Sequence, residues 1–306
     1  MVENGAKVEL LQCRNFANIF FRVTNQTFSS EFGVSGIVFR QNHTIHEHFF
    51  HKMTPISAVI ITKNEEANIA RCLAALAPVA DEVVVIDSGS TDRTVEIAEK
   101  MGARVVFRAF DNFMNQKNFG IAQARFPHVL SVDADECPDE ILQKSILAIK
   151  KNWACPGYKL RMLTHYAGSW IYHSGWYPDP KLRLFDTRMG HWAGKNPHEK
   201  FEFFDKNGPE PPLLDGNLLH FSFPTVESHW RKARYYSTTG AAYLAASGRR
   251  IWWFQVLLNP VAKWLKAFVI GRGFLDGKAG WDIARISAFE TFLKYKKALA
   301  LRRGSR

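Results

Sequence analysis

Four short apolar runs, at residues 56–61, 82–86, 104–107 and 128–132, alternate with segments of helical character. That order is the strongest constraint on the fold. Helices are expected from Asn64 to about Leu76, from Thr91 and Asp92 to near Gly102, from Phe113 to Ala124, and from Pro138 and Asp139 to about Lys151. Asn and Asp at the starts satisfy the free amides of a first helical turn, acids suit its dipole, and Gly102 supplies a stop. Apolar strands separated by helices build a mostly parallel α/β sheet with helices on both faces. Ligands of such sheets bind beyond the carboxyl ends of the strands. Thr62-Lys63-Asn64-Glu65, Asp87 and the pair Asp133/Asp135 follow three different strands, so they converge on one rim.

The run Val129-Leu130-Ser131-Val132-Asp133-Ala134-Asp135-Glu136 ends in three acids within four residues. Carboxylates crowded at a strand end repel one another. A divalent cation relieves that repulsion, and hard oxygen donors suit Mg²⁺ or Mn²⁺. No GxGxxG follows the first strand, and neither GxxxxGK[ST] nor GxSxG occurs. Dinucleotide-dependent dehydrogenases, P-loop enzymes and α/β-hydrolases are therefore excluded.

The chain divides into three. Residues 1–52 hold eight phenylalanines without a sustained period of 2 or 3.6, together with His43, His46, His48 and His51, which lack a scaffold for metal. They are expected to be peripheral, with Met53 as an alternative start. Residues 53–220 are expected to form the α/β domain. Beyond the alternation, 157–163 and 181–185 read as strands around an aromatic loop, and 205–216, rich in Pro, Gly and Asn, reads as a loop. Residues 221–306 read as helical from Thr225, with interruptions at Gly248, at Pro260 and over 271–280. This last segment carries 16 Lys and Arg against 4 acids and accounts for the whole net charge of +11. Trp252, Trp253, Phe254, Leu257, Leu258, Trp264 and Phe268 lie there among Arg249, Arg250, Lys263 and Lys266. That mixture suits a helix lying in an anionic membrane interface. Charge alone would also attract nucleic acid, but no recognition motif accompanies it, so none is expected. The four cysteines, Cys13, Cys72, Cys137 and Cys155, form no CxxC pair and point to a reducing compartment. No signal peptide or spanning run is read.

Three motifs in order, Ser57-Ala58-Val59-Ile60-Ile61-Thr62-Lys63-Asn64-Glu65, Val83 to Thr94 with its Asp87-Ser88-Gly89-Ser90-Thr91-Asp92 core, and Ser131 to Glu136, resemble the family 2 glycosyltransferases. The resemblance covers about residues 55–203. It implies a GT-A fold, a nucleotide-sugar donor, a divalent cation and inversion at the anomeric carbon. Gln116-Lys117-Asn118, Arg183-Leu184-Phe185 and Asn196-Pro197-His198-Glu199 extend it toward the lipopolysaccharide inner-core branch, whose members add β-glucose to heptose. That branch implies UDP-glucose as donor and lipid A–core as acceptor. It also implies a cytoplasmic protein held peripherally on the inner face of the inner membrane. A polyprenyl-phosphate or capsule acceptor is the alternative.

Carried onto this chain, the resemblance gives each residue a role. Thr62, Asn64 and Glu65 would line the base pocket, and Asp87 would accept from uracil or ribose. Asp133 would hold ribose or a metal-bound water, and Asp135 the metal itself. Lys117 and Arg183 would reach the diphosphate. An inverting transfer needs a base opposite the leaving group, and Glu199 is the choice, with Asp179 and Asp186 competing. Trp170, Tyr172 and Trp176, with Tyr177, would stack acceptor sugars; core packing is the plainer role for such aromatics.

Overall fold

The computed structural model describes residues 53–195 and 198–304. Expectations for residues 1–52, including the histidine group and the alternative start, lie outside the described residues, as do Asn196 and Pro197.

Strands β1 (Ile56–Thr62), β2 (Glu82–Asp87), β3 (Arg104–Phe107) and β4 (His128–Asp133) alternate with helices α1 (Ile69–Leu76), α2 (Thr94–Lys100) and α3 (Phe113–Gln123). The four strands pair in parallel in the order β3-β2-β1-β4. Chain order reverses on either side of β1, which makes its carboxyl end a topological switch point. The register sets Thr62 beside Asp87 and Ile61 beside Asp133. Ile56, Ala58 and Ile60 face α1, α2 and a later helix, α4 (Glu140–Lys151), on one side; Val59 faces α3 on the other. The side chain of Val59 comes so close to α3 that a Cβ on Gly120 would lie 2.7 Å from it. Truncating a fully buried residue such as Ile60 to alanine costs about 2–5 kcal/mol.

Two helix starts differ from expectation. Residues 64–68 form a turn before α1, because Asn64 has φ +55° and is tied to the loop after β2. Its amide donates to Ser90 Oγ, and its side-chain oxygen accepts from Thr91 N, both at 2.8 Å. Asp92 likewise accepts from Thr94 N rather than entering α2.

Past β4 the sheet becomes mixed. It continues through β8 (Asp179–Asp186), β6 (Gly157–Tyr166), β11 (Leu213–Phe223) and β5 (Glu136–Pro138), with β7 (Ser169–Ile171) on β6. Since β5 follows β4 after two residues yet pairs at the far edge, the sheet curls on itself. Asp139 caps α4 (Glu140–Lys151) as expected. The segment read as a loop over 205–216 ends inside β11. Gly216 permits this: its φ is +92°, and a Cβ there would sit 2.1 Å from Leu142 N. The division drawn at 220/221 passes through β11, so the main sheet runs into the segment assigned to the extension. A hairpin, β9 (Gly190–Lys195) and β10 (His198–Phe203), packs on the α3 side, where Phe201 stacks on Phe185 at 3.6 Å.

The extension comprises α5 (Val226–Ala246), α6 (Gln255–Leu265) and α7 (Gly277–Gly304). Thr225 and Ser228 form a reciprocal cap for α5. Pro260 lies inside α6 instead of ending it. The turn before α7 is pinned to the aromatic loop: buried Asp276 accepts from Tyr172 N at 3.2 Å, His173 N at 3.1 Å and Ser174 Oγ at 3.3 Å. Trp253 just before α6, Leu257, Leu258 and Val261 on it, and Ile270 in the helical turn after it are all more than half exposed. Among the described residues no helix is long and apolar enough to cross a membrane.

Candidate active site

The strand ends at the switch point open a cleft of about 460 Å³, lined by Thr62, Lys63 and Glu65 at and beyond the end of β1, Asp133 and Asp135 at and beyond the end of β4, and Gln116 of α3. Its far wall comes from β11 and α5: His220, Ser222, Lys232 and Tyr236. The antiparallel register places His220 opposite Glu136, and this brings its Nε2 to 3.4 Å from Asp135 Oδ2. Burial opposes charge on His220, but the bond to Asp135 and the charges of Asp135, Glu136 and Asp133 outweigh it and raise its pKa. Burial also raises Glu65, with Asp135 adding to the effect and Asn68 opposing it.

A second cleft, of about 640 Å³, begins at the same Asp133 and runs past Lys117, Arg183, Trp192, Glu199 and Lys200. Strand alternation explains its lining. Asp133 shares a face of β4 with Val129, and Arg183 shares a face of β8 with Phe185, both toward the α3 side. Glu199 shares a face of β10 with buried Phe201. Lys117 lies on the buried side of α3 with Gln116 and Gly120. The four meet there. Lys117 Nζ donates to Glu199 Oε1 at 2.9 Å and stands 3.6 Å from Asp133 Oδ1. Arg183 Nη2 donates to Glu136 Oε1 at 2.9 Å and lies 3.5 Å from Asp133 Oδ2, and Glu136 Oε2 accepts the Asp133 amide at 3.0 Å. Burial works against the Asp133 carboxylate, yet Lys117, Arg183 and His220 hold its pKa down to about 2. Burial raises Glu136, with Arg183 opposing. Asp133 Oδ1 and Glu199 Oε2 are buried without a hydrogen-bond partner.

The Glycosyl transferase family 2 model matches residues 57–200. An uncharacterized glycosyltransferase of Rickettsia typhi is 32% identical over 83% of this chain and 90% of its own length. The chain belongs to the family 2 glycosyltransferases. The lipopolysaccharide core biosynthesis glycosyltransferase LpsC of Rhizobium meliloti is 26% identical over 79% of the chain and 91% of that protein. The crystal structure of S. aureus TarS residues 1–349 with UDP aligns at 16% identity, over 82% of this chain and 92% of that one, with a TM-score of 0.39.

The transferase brings Thr62, Glu65, Asp133 and Asp135 into the first cleft, and Lys117, Arg183 and Glu199 to the second, with Asp133 common to both. Lys117 and Arg183, expected at the diphosphate, lie beside carboxylates: Lys117 by Glu199 and Asp133, Arg183 by Glu136 and Asp133. Asn64 and Asp87 line neither cleft. Asn64 joins two loops, and the Asp87 carboxylate accepts from Gly89 N at 2.9 Å and Ser90 Oγ at 2.5 Å, fixing the turn that Asn64 holds. Asp186 pairs in register with His128 at the start of β4, the opposite rim, so it is no base for this site. Asp179 stays at the second cleft, paired with Lys181 at 3.0 Å. Trp170, Tyr172 and Trp176 line neither cleft. Trp170 packs against His165 and Phe221, Trp176 against Tyr166 and Phe223, and half-exposed Tyr172 against Tyr177. Sequence reading missed His220, Ser222, Lys232 and Tyr236. The alternation Leu218, His220, Ser222 on one face of a strand was the available signal.

A divalent cation fits this cleft by its donor set. Among the described residues no group of three or more His, Cys, Asp or Glu converges for a metal. Mg²⁺ commonly takes one or two carboxylates and completes its shell with water and substrate phosphate. Asp135 with His220, beside the unbonded Asp133 Oδ1, suits a cation that shares its shell with a diphosphate.

Proposed function

We propose that the transferase moves glucose from UDP-glucose, with inversion, to a heptose of the lipopolysaccharide inner core. The observation that carries this reading is the meeting of two clefts at Asp133. One offers Asp135 and His220 to a nucleoside diphosphate and its cation, and the other offers a carboxylate oxygen, Glu199 Oε2, that no protein group uses. Mg²⁺ or Mn²⁺, held by Asp135 and His220, would neutralise charge on the departing diphosphate. The remaining work falls to the chain. Thr62 and Glu65 receive the base side of the nucleotide. Glu136 and Arg183 fix Asp133. Lys117 orients Glu199, whose free oxygen takes the proton from the acceptor hydroxyl as that oxygen attacks the anomeric carbon. The sugar–phosphate bond breaks on the opposite face, and UDP leaves.

The similarity to LpsC, a lipopolysaccharide core biosynthesis glycosyltransferase, supports a core-oligosaccharide acceptor. Such an acceptor sits at the inner membrane, and the exposed Trp253, Leu257 and Leu258 among basic residues suit peripheral docking on its anionic cytoplasmic leaflet. The protein should sediment with phosphatidylglycerol vesicles and not with phosphatidylcholine ones; equal sedimentation with both removes the anionic-leaflet part. A panel of nucleotide sugars, scored for nucleotide release with Mn²⁺, tests the reaction. UDP release from UDP-glucose, accelerated by heptose-containing core, is expected. Release accelerated by polyprenyl phosphate instead, or none with any donor, would overturn the assignment.

A further inference from the structure

Helix α5 belongs to the basic extension by sequence, yet it forms part of the donor cleft. Lys232 and Tyr236, one turn apart on one face of α5, line that cleft together with Asp135 and His220. Lys232 Nζ donates to Ser222 O at 2.8 Å and stands 4.7 Å from the Phe223 ring. It forms no ion pair among the described residues. An ammonium has three donors, and one is used. Lys63, the other lysine of this cleft, is exposed on the loop after β1. A diphosphate whose cation rests on Asp135 and His220 brings further anionic oxygens to the wall where Lys232 stands.

Building on the UDP-sugar reading above, we infer that Lys232 is a diphosphate-binding residue, delivered to the donor from α5 of the C-terminal extension. The extension is then part of the catalytic centre as well as a surface for docking. It is held in place from behind: Lys297 of α7 donates to Ser237 Oγ at 2.9 Å and Thr238 Oγ1 at 2.7 Å on α5.

Titration calorimetry of the full chain with UDP and with uridine, in Mn²⁺, tests this. Charge-assisted hydrogen bonds to phosphate carry the difference between the two ligands, so Lys232→Met should weaken UDP about 10- to 100-fold. Uridine binding should stay within about twofold, since the base side is untouched. Lys232→Arg should recover most of the UDP affinity. UDP binding by Lys232→Met at the wild-type level, or equal loss of UDP and uridine, would overturn the inference while leaving the donor reading standing. Failure of the wild-type protein to bind UDP would overturn both.

Discussion

The two clefts share one aspartate and treat charge in opposite ways. In the first, Glu65, Asp133 and Asp135 stand with Lys63, His220 and Lys232, and Thr62 Oγ1 is buried without a partner. In the second, each acid beyond Asp133 has its own lysine: Glu199 with Lys117, Asp179 with Lys181, and Glu210 with Lys159. Open polar groups suit a ligand that arrives with both a cation and a diphosphate. Closed pairs suit a ligand met through hydroxyls, where one carboxylate oxygen must be free and aimed. Glu199 Oε2, buried without a partner, is the oxygen that the proposed mechanism uses. In the proposed mechanism the difference separates binding from chemistry, and substitutions should separate them too.

The largest effect is expected at the second cleft alone. Glu199→Gln should lower turnover by about 10²- to 10⁴-fold with UDP affinity unchanged, read from steady-state kinetics and calorimetry. Arg183→Met strikes the wall between the clefts. It leaves buried Glu136 without its cation, so denaturant unfolding should report a loss of about 3–5 kcal/mol. Asp135→Asn tests the first cleft. UDP affinity in Mn²⁺ should fall on the order of tenfold or more, to the level of the wild-type protein with chelator, because the asparagine offers no charge to the cation. Lys117→Met is the smallest and the most discriminating. Turnover should fall about tenfold with donor KM unchanged if the lysine acts through Glu199. A rise in donor KM would return it to the diphosphate.

Much of the first cleft was readable because its residues sit at the ends of successive strands. Apolar runs fix the strands, parallel order fixes which ends share a rim, and Thr62, Asp87 and Asp133 follow. Proximity did not settle roles. Asp87 satisfies its own turn, and Asn64, read as a helix start, is a loop tie with positive φ. The far wall was unreadable for a local reason: Asp215, Gly216 and Asn217 look like a turn, yet they lie within β11. Gly216 is there because α4 passes too close for a side chain, and Asn217 is bonded to Asp139 at 3.0 Å. With β11 hidden, His220 had no strand to be placed on, and the helix read from Thr225, which carries Lys232, had no sheet edge to dock beside. The second cleft rests on pairs far apart in sequence, such as Lys117 with Glu199 and Arg183 with Glu136. No periodicity along the chain states which of those residues will face one another.

The division of labour at Asp133 is tested most directly by one crossed measurement. UDP affinity and sugar-transfer rate are determined for Asp135→Asn and Glu199→Gln side by side, in Mn²⁺ with heptose-containing core acceptor. The expected result is loss of UDP binding in the first variant, and retained binding with lost transfer in the second. Transfer at the wild-type rate by Glu199→Gln, or equal loss of UDP binding in both variants, would contradict it.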